Sequence, residues 1–253
     1  MVTSNGAVGR DALTNELVYQ RTIDPAIAYE LYNEVVPKNE TRINCNCNQN
    51  DVWFCRHNWE EVLAFHQESR LTFQVVPDTP KLVAAPAGGA GGTIRDGDFS
   101  GVVKFFYTCW DRPLLERLEA YLQERYKDEL TVNISASYCV DIQAKGVDKT
   151  HGLRSIFAHM ARKELGNEGD KEEAVRQKVE ACMRQSIAFG DDLNDKSMLV
   201  NVGRGFVMAN ANPKLKQETA QAPFQNQLEV IGNNADDSVC RKIRELFDLS
   251  ERA

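Results

Sequence analysis

Three acidic residues follow directly after a short apolar run. The chain reads S-I-A-F-G-D-D-L-N-D over residues 186–195. The apolar letters predict a buried strand, and Gly190 lets the backbone turn where the strand ends. Open α/β sheets bind ligands at the carboxyl ends of their strands, and Mg²⁺ takes one or two carboxylates with water and phosphate oxygens. The pattern therefore predicts a Mg²⁺ site formed by Asp191 with either Asp192 or Asp195.

The same acidic residues have a purely structural interpretation. Asp and Asn are favoured N-caps, and the spacing after the acids predicts a helix over residues 194–202. In that interpretation the carboxylates cap a helix and bind no metal. The local sequence leaves both interpretations open.

The elements around this segment occur in a recognisable order. G-V-D-K at 146–149 precedes an amphipathic helix, a second strand is predicted over 205–208, and a last helix over 239–247. The apolar face of the first helix is predicted from Leu153, Ile156, Phe157 and Met160. With G-D-x-x-N-D-x-x-M-L at 190–199, this order resembles the haloacid dehalogenase superfamily, specifically the Cof-type (class IIB) sugar-phosphate phosphatases. The likeness covers about residues 129–250, and S-N-G-A at 4–7 resembles the segment that opens the family's cap domain.

The resemblance implies an α/β fold with two domains. A haloacid dehalogenase-like Rossmannoid core, present as its C-terminal half, is expected from residues 146–253 together with 1–4. An α+β class IIB cap is expected from residues 5–145. The cap strands are predicted over 17–19, 42–47, 102–109, 130–134 and 139–142, and the cap helices over 25–36, 59–69 and 112–126.

The resemblance also assigns roles to residues of this chain. Asp191, Asp192 and Asp195 are the expected Mg²⁺ ligands, and Asn194 and Lys149 the expected phosphate contacts. Lys149 is in addition the expected catalytic residue, because its charge would offset the negative charge of the phosphoryl group and the carboxylates. From the local sequence alone, Lys149 is equally well a solvated charge at the start of a helix.

The family's first motif, D-x-D-G-T, contains the aspartyl nucleophile, and these 253 residues do not contain it. Asp96-Gly97-Asp98 follows a Gly-rich stretch rather than an apolar strand and is predicted to be a solvated loop. The resemblance therefore implies a Mg²⁺-dependent hydrolase of a small phosphorylated metabolite, such as a sugar phosphate, of which this chain lacks the nucleophile and is inactive. The alternative is a truncated, non-catalytic binding or regulatory module, and the exposed edge of the incomplete core sheet would give it a surface for self-association.

Two further sets of side chains are candidates for binding in the cap. Class IIB caps select the leaving group, so Lys104, Arg56 or the Gly-rich loop, predicted over residues 77–100, are candidate sugar contacts. Four soft ligands occur within thirteen residues, namely Cys45, Cys47, Cys55 and His57. Zinc could bind them tetrahedrally, but strand alternation places Cys45 and Cys47 on one face, as a buried apolar row requires. We favour buried cysteines, and the zinc alternative stays open.

The composition of the chain argues against some classes of binding partner and indicates a cellular compartment. A net charge of −7 argues against a basic nucleic-acid-binding face. No apolar run approaches the about 18 residues of a membrane span, and no signal-peptide pattern follows Met1. Seven scattered cysteines, an odd number, are typical of a reducing compartment, so a cytoplasmic protein is expected.

Overall fold

The computed structural model describes residues 1–59, 64, 72–82, 92–166, 171–221 and 228–249. The chain divides into two compact units, Met1–Val147 and Asp148–Ala253. This division groups residues 1–4 with the first unit. The assignment of the units as cap and core stays a prediction.

The described residues of the first unit form two sheets. A small antiparallel sheet is formed by β1 (Val2–Thr3), β2 (Val8–Arg10) and β3 (Leu17–Gln20). The larger sheet has six strands in the order β6-β5-β4-β7-β9-β8. Its strands are β4 (Asn44–Gln49), β5 (Val52–Cys55), β6 (Phe73–Val75), β7 (Val102–Thr108), β8 (Leu130–Ala136) and β9 (Cys139–Ala144). All neighbours are antiparallel except β5 and β6, which are parallel.

Two helices cover one face of the six-stranded sheet. α1 (Pro25–Asn33) begins at the cap residue Asp24, and α2 (Arg112–Arg125) begins at the cap residue Asp111; each has proline in its first turn, where the missing N–H costs nothing. Alternate strand residues point toward the helices, so the sheet is apolar on this face. The shared core includes Leu31, Tyr32, Cys45, Cys47, Phe105, Tyr107, Leu115, Leu122, Val140 and Ile142.

The second unit is built on a parallel sheet. β10 (Ile187–Gly190), β11 (Arg204–Met208) and β12 (Leu228–Ile231) pair side by side in that order. Its helices are α3 (Lys149–Leu165), α4 (Glu172–Gln185), α5 (Lys196–Asn201), α6 (Pro213–Thr219) and α7 (Ser238–Leu246). The apolar core lies around Phe206, Leu199, Met183 and Leu215.

Most of the predicted elements are confirmed, and the exceptions are instructive. The amphipathic helix is present as α3, but Met160 is 56% exposed rather than on its buried face. Among the elements that were not predicted are helices α4 and α6 and strands β2, β5, β6 and β12. Only residues 59 and 64 of the helix predicted over 59–69 are among the described residues. Residues 83–91 of the Gly-rich loop lie outside them. Within the described residues, no helix has the length and apolarity that crossing a bilayer requires.

Candidate functional site

The acidic segment lies at the carboxyl end of β10. Gly190 is the last strand residue, and a short 3₁₀ helix, Leu193–Asp195, connects the strand to α5. A Cβ atom on Gly190 would lie 2.5 Å from the Cβ of Asp195. Only glycine therefore lets the Asp195 side chain fold back against the strand end.

Asp195 is the buried centre of this loop. Its Oδ2 atom accepts hydrogen bonds from the backbone N–H groups of Asp191, at 3.0 Å, and Asp192, at 3.2 Å. Its Oδ1 atom accepts a hydrogen bond from the ammonium group of Lys149. A buried carboxylate requires partners of this kind, and Asp195 has three. Asp195 therefore holds the backbone of the loop in place.

Lys149 reaches Asp195 from the first turn of α3. Asp148 caps this helix, with its carboxylate 2.7 Å from the backbone N of His151. The hydroxyl of Thr150 lies 3.1 Å from that of Ser197 and connects α3 to α5. The structure thus brings together Lys149 and Asp195, two of the residues singled out from the sequence.

Asp192 serves as a helix cap. Its Oδ1 atom accepts hydrogen bonds from the backbone N of Leu193, at 2.7 Å, and from the Asn212 side chain, at 3.0 Å. The structural interpretation of the acidic cluster is therefore realised at this residue. Asn212 was not among the predicted site residues. Its position directly before Pro213, where it caps α6, is the signal that could have identified it.

Asp191 is the exposed carboxylate of the loop. Within the described part of the chain its side chain has no hydrogen bond or ion pair, while its backbone O accepts from the Asn212 backbone N at 2.8 Å. Asn194, in the 3₁₀ helix, is half-buried, and its side chain likewise has no partner among the described residues. The polar groups available to a ligand here are the Asp191 carboxylate, the Asn194 amide and the partly exposed Lys149 ammonium.

The three predicted metal ligands are thus not equivalent. Over the described ranges, no three His, Cys, Asp or Glu side chains are arranged so that they could hold a metal ion. Asp192 and Asp195 are occupied by protein hydrogen bonds, whereas Asp191 is not. Mg²⁺ commonly binds through one or two carboxylates and keeps several waters, so the Asp191 carboxylate fits as one of its ligands.

The cysteines of the first unit lie on two faces of the sheet. The register pairs Cys47 with Phe54, and Asn46 with Cys55. Cys55 therefore lies on the face of Asn46, opposite to Cys45 and Cys47. The expected burial of Cys45 and Cys47 in the core is confirmed. Burial raises the pKa of Cys45 and of Cys55 to about 12.

Two other predictions are corrected by burial. The prediction that Arg56 contacts a sugar is wrong, because its guanidinium is buried on the helix side of the sheet and donates to the Val36 carbonyl at 3.0 Å. Asp98 is also buried rather than solvated; its carboxylate accepts from the Ser100 backbone N at 2.8 Å. Lys104 is half-buried beside a cavity of the first unit.

Comparisons with known proteins identify relatives of this chain. The model of the haloacid dehalogenase-like hydrolase family matches residues 1–164 and 166–243. A putative phosphatase of Haemophilus influenzae is 29% identical over 98% of this chain and 75% of its own length. An HMP-PP phosphatase of Yersinia pseudotuberculosis is 27% identical over 76% of this chain, which spans 55% of that relative.

A solved structure supports the same fold. The crystal structure of a haloacid dehalogenase-like hydrolase from Bacteroides thetaiotaomicron superposes with a TM-score of 0.64 and 18% identity. The match covers 96% of this chain and 74% of that protein. The predicted α/β fold class and the family resemblance are confirmed.

Proposed function

The chain belongs to the haloacid dehalogenase-like hydrolase family, and from this premise we propose that it is a Mg²⁺-dependent phosphomonoesterase component acting on a small phosphorylated metabolite. The relatives described as phosphatases support the reaction class. The observation that carries the proposal is the loop after β10, at the end of a parallel strand. There the buried Asp195, paired with Lys149, binds the backbone N–H of Asp191. The carboxylate of Asp191 is exposed and has no hydrogen-bond partner among the described residues.

Each residue of the loop has a distinct part in this proposal. Asp191 is the protein carboxylate that holds the metal, and Asn194 orients a phosphoryl oxygen. Lys149 offsets negative charge at the phosphoryl group, which is the stabilisation that phosphoryl transfer requires. It remains paired with Asp195 while it does so. When bound, Mg²⁺ supplies Lewis-acid polarisation of a phosphoryl oxygen. Asp192 contributes by capping the 3₁₀ helix rather than by metal binding.

We further propose that these 253 residues alone do not turn over phosphate monoesters. The sequence contains no D-x-D-G-T, and Asp98 of the one D-x-D is committed to a backbone hydrogen bond. Without an aspartyl nucleophile, the covalent phosphoryl intermediate expected from the family resemblance cannot form. A reading frame that encodes D-x-D-G-T upstream of Met1 would supply that nucleophile.

The remaining partner assignments are proposals as well. Self-association would use β10, which within the described residues pairs on one side only, with β11. A net charge of −7 supports the absence of a nucleic-acid partner. The cysteine content supports a cytoplasmic location.

Metal binding tests the proposed role of Asp191. We expect the chain to bind Mg²⁺ weakly, in the millimolar range, and more tightly when inorganic phosphate is present, because phosphate oxygens complete the coordination. Asp191→Asn should abolish the binding heat in calorimetry. Asp192→Asn is the matched control and should retain it. Retained binding in Asp191→Asn with loss in Asp192→Asn would overturn the assignment.

An activity assay tests the proposal that these 253 residues alone do not hydrolyse phosphate monoesters. The purified chain should release no phosphate from p-nitrophenyl phosphate above background. Turnover that disappears in Asp191→Ala would refute the proposed inactivity while supporting the phosphatase function. Asp98→Ala would then test the one D-x-D of the sequence. Absence of both Mg²⁺ binding and turnover would favour the non-catalytic alternative.

A further inference from the structure

The first unit contains a cavity on the open face of its six-stranded sheet. The cavity measures about 620 Å³, within the range of small-molecule sites. Its floor is formed by side chains that point away from α1 and α2, among them Asn48, Lys104, Phe106 and Asp141. Nothing in the proposed hydrolytic chemistry uses these residues.

Aromatic rings form much of the wall. Trp53 lies 6.0 Å from Phe106 between ring centroids, and Trp110 stacks on Tyr138 at 4.5 Å. All three tryptophans of the chain, Trp53, Trp59 and Trp110, line this one cavity. Trp110 is 61% exposed, so its ring is accessible to a ligand that enters the cavity. Flat apolar surfaces of this kind favour a planar ligand.

The charged groups of the cavity are already paired. Lys104 Nζ lies 2.8 Å from Asp141 Oδ1, and the Asn5 side chain donates to Asp141 Oδ2 at 2.7 Å. Asp51, at the rim, is paired with Arg10 at 2.6 Å. Among the described residues that line the cavity, no cation is left to bind a phosphoryl group. An uncharged ligand is therefore favoured.

Asn48 supplies a hydrogen-bonding edge. The sheet register places it between Trp53 and Lys104. Its neighbour Asn46 is engaged, accepting from the Trp53 indole at 3.1 Å and donating to the Asn44 carbonyl. The Asn48 amide, in contrast, has no hydrogen-bond partner in the part of the chain that the structure describes. A half-buried amide offers a donor beside an acceptor.

We propose that this cavity binds an uncharged, planar heteroaromatic ring, stacked on the aromatic wall and hydrogen-bonded along one edge to the Asn48 amide. This inference rests on the cavity of the first unit alone and does not depend on the proposed phosphatase function.

Calorimetry with simple ring probes tests this inference. Cytosine and uracil, whose edges carry a donor beside an acceptor, should bind saturably at millimolar or lower concentration and change tryptophan emission. Glucose and cyclohexanol, which are not planar, should do neither. Asn48→Leu should weaken cytosine binding about tenfold, which is the loss of one or two hydrogen bonds. Asn133→Leu, on the same sheet but outside the cavity, should leave the affinity unchanged.

Two further variants keep the result interpretable. Trp110→Ala removes a largely exposed ring, so folding is preserved while ring binding should weaken. Asp191→Ala should not change cytosine binding, so failure of the ring site and failure of the phosphatase proposal are separable. The inference is overturned if neither ring probe binds the folded chain, if glucose binds equally well, or if Asn133→Leu weakens binding as much as Asn48→Leu.

Discussion

The two units each contain a buried aspartate paired with a partly exposed lysine. In the first unit the Asp141 and Lys104 side chains are 5% and 19% exposed; in the second unit those of Asp195 and Lys149 are 6% and 30% exposed. The two carboxylates differ in the other groups that donate hydrogen bonds to them. Asp141 accepts from the side chain of Asn5, whereas Asp195 accepts from two backbone N–H groups of its own loop.

This difference gives the two ion pairs different structural consequences. A carboxylate that binds backbone N–H groups fixes the path of the chain, so Asp195 determines where Asp191 points. A carboxylate that binds side chains fixes only those side chains, so Asp141 shapes the floor of a cavity without directing the backbone. The same two residue types therefore position a loop in one unit and form a neutral surface in the other.

Removing Asp195 should have the largest effect. Asp195→Ala leaves the Lys149 charge and two backbone N–H groups without their acceptor, and we expect a loss of about 3–5 kcal/mol in the second unit. Amide hydrogen exchange should accelerate over residues 187–199. Asp195→Asn retains an acceptor oxygen and should cost less. An unchanged exchange pattern in Asp195→Ala would contradict the backbone-anchoring role.

Removing Asp141 should have a smaller effect. Asp141→Ala leaves Lys104 and Asn5 unpaired, but both are partly exposed and can turn to water, so we expect about 1–3 kcal/mol. Because all three tryptophans lie in the first unit, urea unfolding followed by tryptophan emission measures this loss. A cost equal to that of Asp195→Ala would remove the distinction between the two pairs.

The smallest expected effect is on the way in which the stability of the first unit changes with pH. Burial, with a smaller contribution from the Arg56 charge, lowers the pKa of His57 below its usual 6.5. The unfolded chain therefore binds a proton that the folded unit does not, and stability falls as the pH drops below about 6.5. Between pH 7.5 and 5.5 we expect His57 to lower the Tm by ~1–2 °C, an effect that solvent screening limits. His57→Gln should reduce this dependence, and an identical slope in the variant would contradict it.

The second unit provides the contrasting pH range. A hydrogen bond from Arg154 lowers the pKa of Glu180 below its usual 4.5. Its contribution is present above pH 4.5 and is lost as the pH falls through the lowered value. The two groups therefore act in separate pH windows.

Sequence patterns predicted the strands next to the acidic loop better than they predicted the role of each carboxylate within it. The strand before Gly190 and the strand at 205–208 could be predicted because each is marked by a local run of apolar residues, which does not depend on distant contacts. Whether a carboxylate caps a helix or faces a ligand depends on distant partners. Asp192 is occupied by Asn212, twenty residues away, and no spacing rule reveals that contact.

The cavity of the first unit shows the same limit. Asn44, Asn46 and Asn48 alternate with cysteines, so one polar face of β4 could be predicted. Which strands lie beside β4 depends on sheet order, and here β5 and β7 are its neighbours. Lys104 was singled out, but Trp53 and Asp141, which line the same cavity, lie fifty-one residues before it and thirty-seven after it.

The close approach of Gly190 to Asp195 has a genetic consequence. Every missense mutation at the Gly190 codon adds a Cβ atom, and any such atom would lie 2.5 Å from the Cβ of Asp195. The only change at position 195 that removes that obstacle is to glycine, which also removes the carboxylate that holds the loop. A substitution of Gly190 therefore cannot be compensated at position 195 without losing the carboxylate that holds the loop.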